Sequence, residues 1–137
     1  MPTSTHSRRG FLAVCAGILL GPVSRAWRPD PQVPDHPEPR PGIDASRVLP
    51  SDKLADHPDA ISAFDQVREI PQIVDGIRCS CGCASREGFY SLLSCYEGDG
   101  MAMMCEVCQG TGRLAYRLHK AGKSLNEIRE AVDLRFR

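Results

Sequence analysis

Six cysteines lie between positions 79 and 108, and no other feature constrains the fold of this chain as strongly. They form a C-S-C-G-C run, a single cysteine and a C-x-x-C pair. The members are Cys79, Cys81, Cys83, Cys95, Cys105 and Cys108. A domain the size of residues 51–137 buries a marginal apolar core and usually needs an additional cross-link. The cysteines are the candidates for it.

The spacing of the cysteines suits one shared site better than three separate bridges. Alternate residues of the C-S-C-G-C run can turn to one side of a tight loop, and Gly82 permits the bend. Cys105 and Cys108 lie three apart at the start of a predicted helix, where they face the same way and the helix dipole favours thiolates. The pattern favours a metal–thiolate site built from all six cysteines. Three disulfides are the alternative, and the two can be successive states.

Thiolate ligands select soft metals, and two ions fit nearly equally well. Six thiolates could hold one zinc with two thiols to spare, two zincs with bridging sulfurs, or a small Cu(I) cluster. A C-x-x-C half-site suits tetrahedral zinc. Copper(I) also prefers sulfur, and Met101, Met103 and Met104 beside Cys105 favour it, although methionines are common core residues. Histidines do not complete the site, since His119 lies roughly 16 Å along the helix from Cys108. We expect Cu(I) or Zn, ahead of an iron–sulfur cluster.

The N-terminus has the pattern of an export signal. Residues 7–12, S-R-R-G-F-L, resemble the twin-arginine consensus, and the apolar run 11–21 is shorter than the about 20 residues that span a bilayer. These features predict a removable signal peptide over residues 1–26, cleaved after Ala26, with Cys15 as filler in the apolar run. The mature protein would be periplasmic or otherwise extracytoplasmic, without a stable membrane span. Folding before export would keep the thiols reduced and allow metal loading.

The rest of the chain divides into a tether and a helical domain. Residues 27–50 contain seven prolines and few large apolar groups, which predicts a disordered or extended tether. From Ser51 the apolar spacing turns helical, with an extended segment at 72–78. We expect an all-α domain over residues 51–137, with about four short helices around a cysteine-rich loop. The predicted helices are 58–70, one within 88–96, 104–121 ending at Gly122, and a last one with a Ser124–Glu127 capping box.

Charge and residue content exclude several classes of function. The signal holds three of the 17 basic residues and no acid, so the mature chain carries a net charge of about −3. This charge argues against nucleic acid or anionic lipid as partner. No Ser/His/Asp array, carboxylate pair or phosphate loop is present in the sequence, which gives hydrolytic or transfer catalysis little support.

Four segments resemble the bacterial family named for its P-C-Y-C-G-C motif. All six cysteines fall on family cysteines, and the likeness covers roughly residues 60–137. The departures are Arg78 for proline, Ser80 for tyrosine, and Phe89 with Tyr90 where many members carry histidine. The resemblance implies an exported protein or lipoprotein with a metal site, and it implies no reaction. The segments are C-S-C-G-C, S-L-L-S-C-Y, C-E-V-C and G-K-S-L-N-E-I-R-E-A-V-D-L-R-F.

Residues 105–112, C-E-V-C-Q-G-T-G, are similar to the C-x-x-C-x-G-x-G unit of J-domain chaperone zinc modules. That unit occurs in pairs there and once here, so the rest of the site is expected from the C-S-C-G-C loop and Cys95. Gly110 and Gly112 each weaken a helix by about 1 kcal/mol relative to alanine. Either the C-S-C-G-C backbone packs closely against them, or the first turn is frayed.

Three functions are compatible with the sequence. The first is a non-enzymatic protein that sequesters, buffers or delivers a soft metal outside the cytoplasm, with a protein partner for transfer. The second is a thiol–disulfide redox protein in which Cys105 and Cys108 react. The third is a disulfide-stapled module that docks a partner.

Overall fold

The structure is a computed structural model that describes residues 34–136. It contains four α-helices: α1 (Pro58–Glu69), α2 (Pro71–Asp75), α3 (Glu106–Lys120) and α4 (Leu125–Phe136). Short 3₁₀ turns occur at Ala45–Arg47, Ser51–Leu54, Cys83–Ser85, Leu92–Cys95 and Met101–Met104. No strand occurs within the described range, so the prediction of an all-α fold with about four short helices is confirmed. The predicted signal peptide lies outside the described residues.

Helices α1 and α2 follow each other directly and are separated only by Ile70. Pro58 begins α1, and Phe64 and Val67 are fully buried on its inner face. The prediction of an extended segment at 72–78 is wrong for its first part, because Pro71 begins α2 there. Proline suits a first helical position, where its missing N–H would have no partner in the helix. Three residues of this short helix are buried, namely Pro71, Val74 and Asp75.

Helix α3 packs against α1, helix α4 packs against α3, and both follow the sequence signals closely. The residue before α3, Cys105, caps it, since its Sγ accepts from the Cys108 amide at 3.4 Å. The chain leaves α3 through Gly122, whose φ of 80° lies in the left-handed region. The predicted capping box is present: Ser124 Oγ accepts from the Glu127 amide, and the Glu127 carboxylate accepts from the Ser124 amide at 2.8 Å. Ile128 and Val132 of α4 are fully buried.

Residues 34–50, here called the N-terminal arm, are ordered against the helices. Of the two forms expected for the tether over 27–50, disorder does not describe residues 34–50, and residues 27–33 lie outside the described range. Ile43 and Val48 are buried, and Gln72 of α2 donates to the Ile43 carbonyl at 2.7 Å. Arg129 of α4 donates to the Pro37 carbonyl at 2.7 Å. Side chains from two helices thus satisfy arm carbonyls, so few apolar residues suffice to hold the arm.

No helix within residues 34–136 has the length and apolar character needed to cross a membrane.

Candidate metal centre

Three short segments bring the cysteines together. The loop 79–83 follows α2, the Leu92–Cys95 turn lies beside it, and the start of α3 faces both. The Leu92 amide donates to the Ile77 carbonyl at 2.7 Å, which holds the Leu92–Cys95 turn against the beginning of the loop. Gly82 has a φ of 85°, a conformation that other residues rarely adopt, so the bend in the loop depends on this glycine.

Cys79 lies at the centre of the sulfur contacts. Its Sγ is 3.1 Å from Cys81 Sγ, 3.4 Å from Cys95 Sγ and 3.7 Å from Cys108 Sγ. Cys81 Sγ also lies 3.1 Å from Cys83 Sγ and 3.4 Å from Cys108 Sγ. A disulfide bond joins sulfurs at about 2.0 Å. All six predicted site cysteines are free thiols in the structure.

The contacts define two groups of thiols that can hold a metal ion. In each group, the three sulfurs lie within 4.8 Å of one another. We call Cys79, Cys81 and Cys108 the first group, and Cys79, Cys83 and Cys95 the second group. Cys79 belongs to both. Five of the six predicted ligands therefore converge on one position in the fold.

Cys105 is the predicted site cysteine that stands outside both groups. Its side chain is partly exposed, and its sulfur caps α3 through the Cys108 amide. It therefore lies next to the thiol cluster, at the edge where α3 begins.

The thiol cluster is closed on most sides. Cys95 and Cys108 are at most 1% exposed, and Cys79 and Cys83 are also buried. Cys81 is partly exposed. The cluster consequently has a buried interior and one more accessible edge.

Hydrogen bonds among the thiols concentrate negative charge on Cys79. Bonds from Cys108 and Cys95, together with one from Cys81, outweigh burial and lower the pKa of the Cys79 thiol to about 2. The pKa of Cys108 is raised, because its thiol hydrogen-bonds to Cys79 and Cys95 and is buried. Burial, followed by hydrogen bonds with Cys83 and Cys79, raises the pKa of Cys81 to about 12. The described cluster thus favours one thiolate among protonated neighbours, and the charge belongs to the coupled set.

Tyr96 is a supporting residue that the sequence analysis missed. It is fully buried, its hydroxyl donates to the Cys108 carbonyl at 2.7 Å, and its ring meets Phe64 edge-to-face with centroids 4.7 Å apart. Tyr96 therefore anchors the first turn of α3, which carries Cys108. Its position directly after Cys95 was the available signal in the sequence.

The two glycines of α3 face other residues than expected. A Cβ on Gly112 would collide with the Tyr96 hydroxyl and lie 2.9 Å from Val67 Cγ2. A Cβ on Gly110 would lie 3.2 Å from the Phe136 ring. Of the two alternatives, close packing of the C-S-C-G-C backbone against both glycines is therefore wrong, and α3 is helical through both positions. Gly112 instead makes room for the tyrosine that anchors Cys108.

Asp75 is a second supporting residue without a signal in the cysteine pattern. Its buried carboxylate accepts from the Ser91 hydroxyl at 2.8 Å, and Ser91 caps the Leu92–Cys95 turn through the Leu93 amide. Arg40 of the N-terminal arm donates to the same carboxylate at 2.6 Å. Asp75 therefore connects the arm, α2 and the turn that carries Cys95.

The methionines and the histidine considered as further ligands lie outside the two thiol groups. Met101 Sδ accepts from the Arg86 guanidinium at 3.5 Å, and the Met104 side chain is 81% exposed. His119 is exposed, as expected for a surface residue.

Comparison of the chain with models of protein families, with curated proteins and with solved structures found no match. The residues of the centre form a cysteine cluster that can bind a metal ion.

Proposed function

We propose that the protein binds a soft metal ion, Cu(I) or Zn, and sequesters, buffers or delivers it outside the cytoplasm. The observation that carries this proposal is the convergence of five thiols on Cys79 in a mostly buried site. Thiolate sulfur selects soft and borderline metals over Mg²⁺ or Ca²⁺.

The spacing of the sulfurs supports metal binding. A tetrahedral zinc–thiolate site with Zn–S bonds of about 2.3 Å places its sulfurs about 3.8 Å apart. The contacts around Cys79 and Cys81 span 3.1 to 3.7 Å, so an ion would need only small outward movements of the ligands. Binding would replace thiol protons by the metal and release them to water.

The accessible edge supports exchange of the metal. Cys81 is partly exposed beside the buried thiols, and the partly exposed Cys105 lies next to Cys108. Structural zinc sites are commonly closed, whereas a site that passes its metal on needs ligands within reach of an acceptor. A partner with its own thiols could approach the cluster from this edge.

Export is proposed from the sequence. Residues 7–12 resemble the twin-arginine consensus, and a protein exported in the folded state would carry reduced thiols out of the cytoplasm. The cysteine pattern and the segments within roughly residues 60–137 support membership of the P-C-Y-C-G-C family as a proposal.

The sulfur contacts argue against the redox alternative. Cys108 Sγ lies 3.7 Å from Cys79 Sγ and 3.4 Å from Cys81 Sγ. Cys105 Sγ instead accepts from the Cys108 amide, and Cys105 belongs to neither thiol group. A C-x-x-C redox pair forms its disulfide between its own two sulfurs, whereas Cys108 here contacts the thiols of the loop 79–83.

The test measures metal and thiols together on the exported protein. The full chain is expressed with its N-terminus in a bacterium, without added metal, and the protein outside the cytoplasm is purified without oxygen. We expect stoichiometric copper or zinc, and six thiols per mature chain after denaturation and metal removal. Cys79→Ser should lose most of the metal, while Ser85→Ala, in the adjoining Cys83–Ser85 turn and without a thiol change, should keep it. Metal-free wild-type protein, or protein with almost no free thiols, would overturn the proposal.

A further inference from the structure

The two thiol groups share one sulfur. Cys79 forms the first group with Cys81 and Cys108, and it forms the second group with Cys83 and Cys95. If a single ion were bound by equivalent ligands, no sulfur would be expected to belong to two separate ligand groups. A bridging thiolate, which binds two ions at once, requires a sulfur of this kind.

We infer that the cargo is copper(I), bound as a cluster of at least two ions in which Cys79 is the bridging ligand. One ion lies in the first group, with Cys81 and Cys108, and another in the second group, with Cys83 and Cys95. The inference rests on the proposed function, because it names the metal and the form in which the same site holds it.

The number of thiols favours copper over zinc. Structural zinc almost always takes four ligands in a tetrahedron, so one zinc would leave one of the five clustered thiols without a role. Copper(I) is a softer ion that accepts three sulfur ligands, and thiolates bridge copper(I) ions readily. Two three-sulfur groups with a common member use all five thiols.

The contact between the groups supports a single compact cluster. Cys81 Sγ of the first group lies 3.1 Å from Cys83 Sγ of the second, so the groups also touch away from Cys79. Cys81 is partly exposed, whereas Cys83, Cys95 and Cys108 are buried. Copper therefore reaches the cluster at Cys81 and passes inward to the buried sulfurs.

The binding step is balanced without a redox partner. Each protonated thiol that coordinates copper exchanges its S–H bond for an S–Cu bond and releases the proton to water. The Cys79 thiolate forms two S–Cu bonds without losing a proton, and copper arrives and remains as Cu(I). The first turn of α3, which carries Cys108, favours the resulting negative charge.

The test is an anaerobic titration of the reduced, metal-free full chain. Copper is supplied as the Cu(I)–acetonitrile complex in the presence of a competing chromogenic chelator, and Cys15→Ser serves as the background in every variant. We expect a limiting ratio of at least two Cu(I) per chain, with a copper–copper scattering path in X-ray absorption. Zinc should bind at a lower ratio.

The variants separate a bridging from a terminal ligand. Cys79→Ser should leave at most one copper and remove the copper–copper path. Cys83→Ser should lower the number of Cu(I) ions per chain by one. If circular dichroism shows that Cys79→Ser does not fold, the Cys83→Ser result decides whether two copper ions are bound. Ser85→Ala should leave ratio and path unchanged.

The outcomes distinguish this inference from the proposed function. One tightly bound copper or zinc per chain, or a copper–copper path that survives Cys79→Ser, would overturn the bridged cluster while metal binding stands. Failure to bind either metal would overturn both.

Discussion

Arg40 donates to both carboxylate oxygens of Asp75, at distances of 2.6 to 3.2 Å from its side chain, and its backbone amide adds a bond of 2.8 Å. This contact joins the N-terminal arm to α2. The same carboxylate accepts from Ser91, which caps the turn carrying Cys95. The position of Cys95 thus depends, through Asp75 and Ser91, on Arg40, which is far in sequence from the six predicted site cysteines.

Asp75→Asn should destabilise the fold by about 2–3 kcal/mol, because it removes the charge from a buried pair whose Arg40 partner remains partly exposed. The matched control is Asp65→Asn, whose pair with Arg68 is more exposed and should contribute less than about 1 kcal/mol. Urea unfolding of the reduced, metal-free protein gives both free energies. Equal losses in the two variants would contradict the central role of Asp75.

His36 should make the stability of the fold depend on pH. Its Nδ1 accepts from the Arg78 amide and its Nε2 contacts Asp133, so the neutral ring fits the site. Burial lowers the pKa of His36 despite the nearby Asp133 charge, and Arg78 lowers it further. Since the folded pKa lies below the unfolded value of about 6.5, the contribution is complete above that pH. It is lost as the pH falls through the folded pKa.

The measurement compares unfolding free energies of wild type and His36→Asn between about pH 8 and pH 5. The difference between the two profiles removes contributions shared by both proteins, including those of the cysteines. We expect the stability advantage of wild type to shrink toward acid pH. An advantage that grows as the pH falls would show that the protonated ring is the favoured form.

Gly112→Ala should destabilise the protein although alanine is the better helix former. The new methyl group would meet the buried Tyr96 hydroxyl and Val67, and overpacking of this kind costs about 1–3 kcal/mol. Gly110→Ala is the control, since its methyl meets only the Phe136 ring near the end of α4, and it should be neutral or stabilising by up to about 1 kcal/mol. Thermal unfolding distinguishes the two. If Gly112→Ala were the more stable variant, the packing of Tyr96 against α3 would be refuted.

Local signals in the sequence predicted α1, α3 and α4, whereas α2 was missed and the helix expected within 88–96 is only the Leu92–Cys95 turn. The Ser124–Glu127 capping box and Gly122 placed the ends of α4 and α3 because caps act within a few residues. The ordering of residues 34–50 depends on Asp75 and Arg129, which no local pattern connects to the arm. Composition alone predicted a disordered or extended segment at residues 34–50.

The candidate site shows the same division. The cysteine spacing indicated a shared site, and the structure brings five of the thiols together. The spacing could not indicate that Cys79 would be common to two groups, because that depends on how the Leu92–Cys95 turn packs beside the loop. The roles of Tyr96 and Gly112 could not be predicted for a similar reason. They depend on the contact between the Tyr96 side chain and the backbone of α3 at Gly112, which no local sequence pattern indicates.

Cys105 should be the first thiol to react with a disulfide reagent in the reduced, metal-free protein. It is partly exposed, whereas four of the other thiols are buried. Cys81 is also partly exposed, but burial and hydrogen bonds with Cys83 and Cys79 raise its pKa to about 12, which slows its reaction. In a Cys15→Ser background, we expect one fast thiol in buffer, absent in Cys105→Ser, and all remaining thiols to react in urea. Fast reaction of several thiols without urea would show that the cluster is not packed as described.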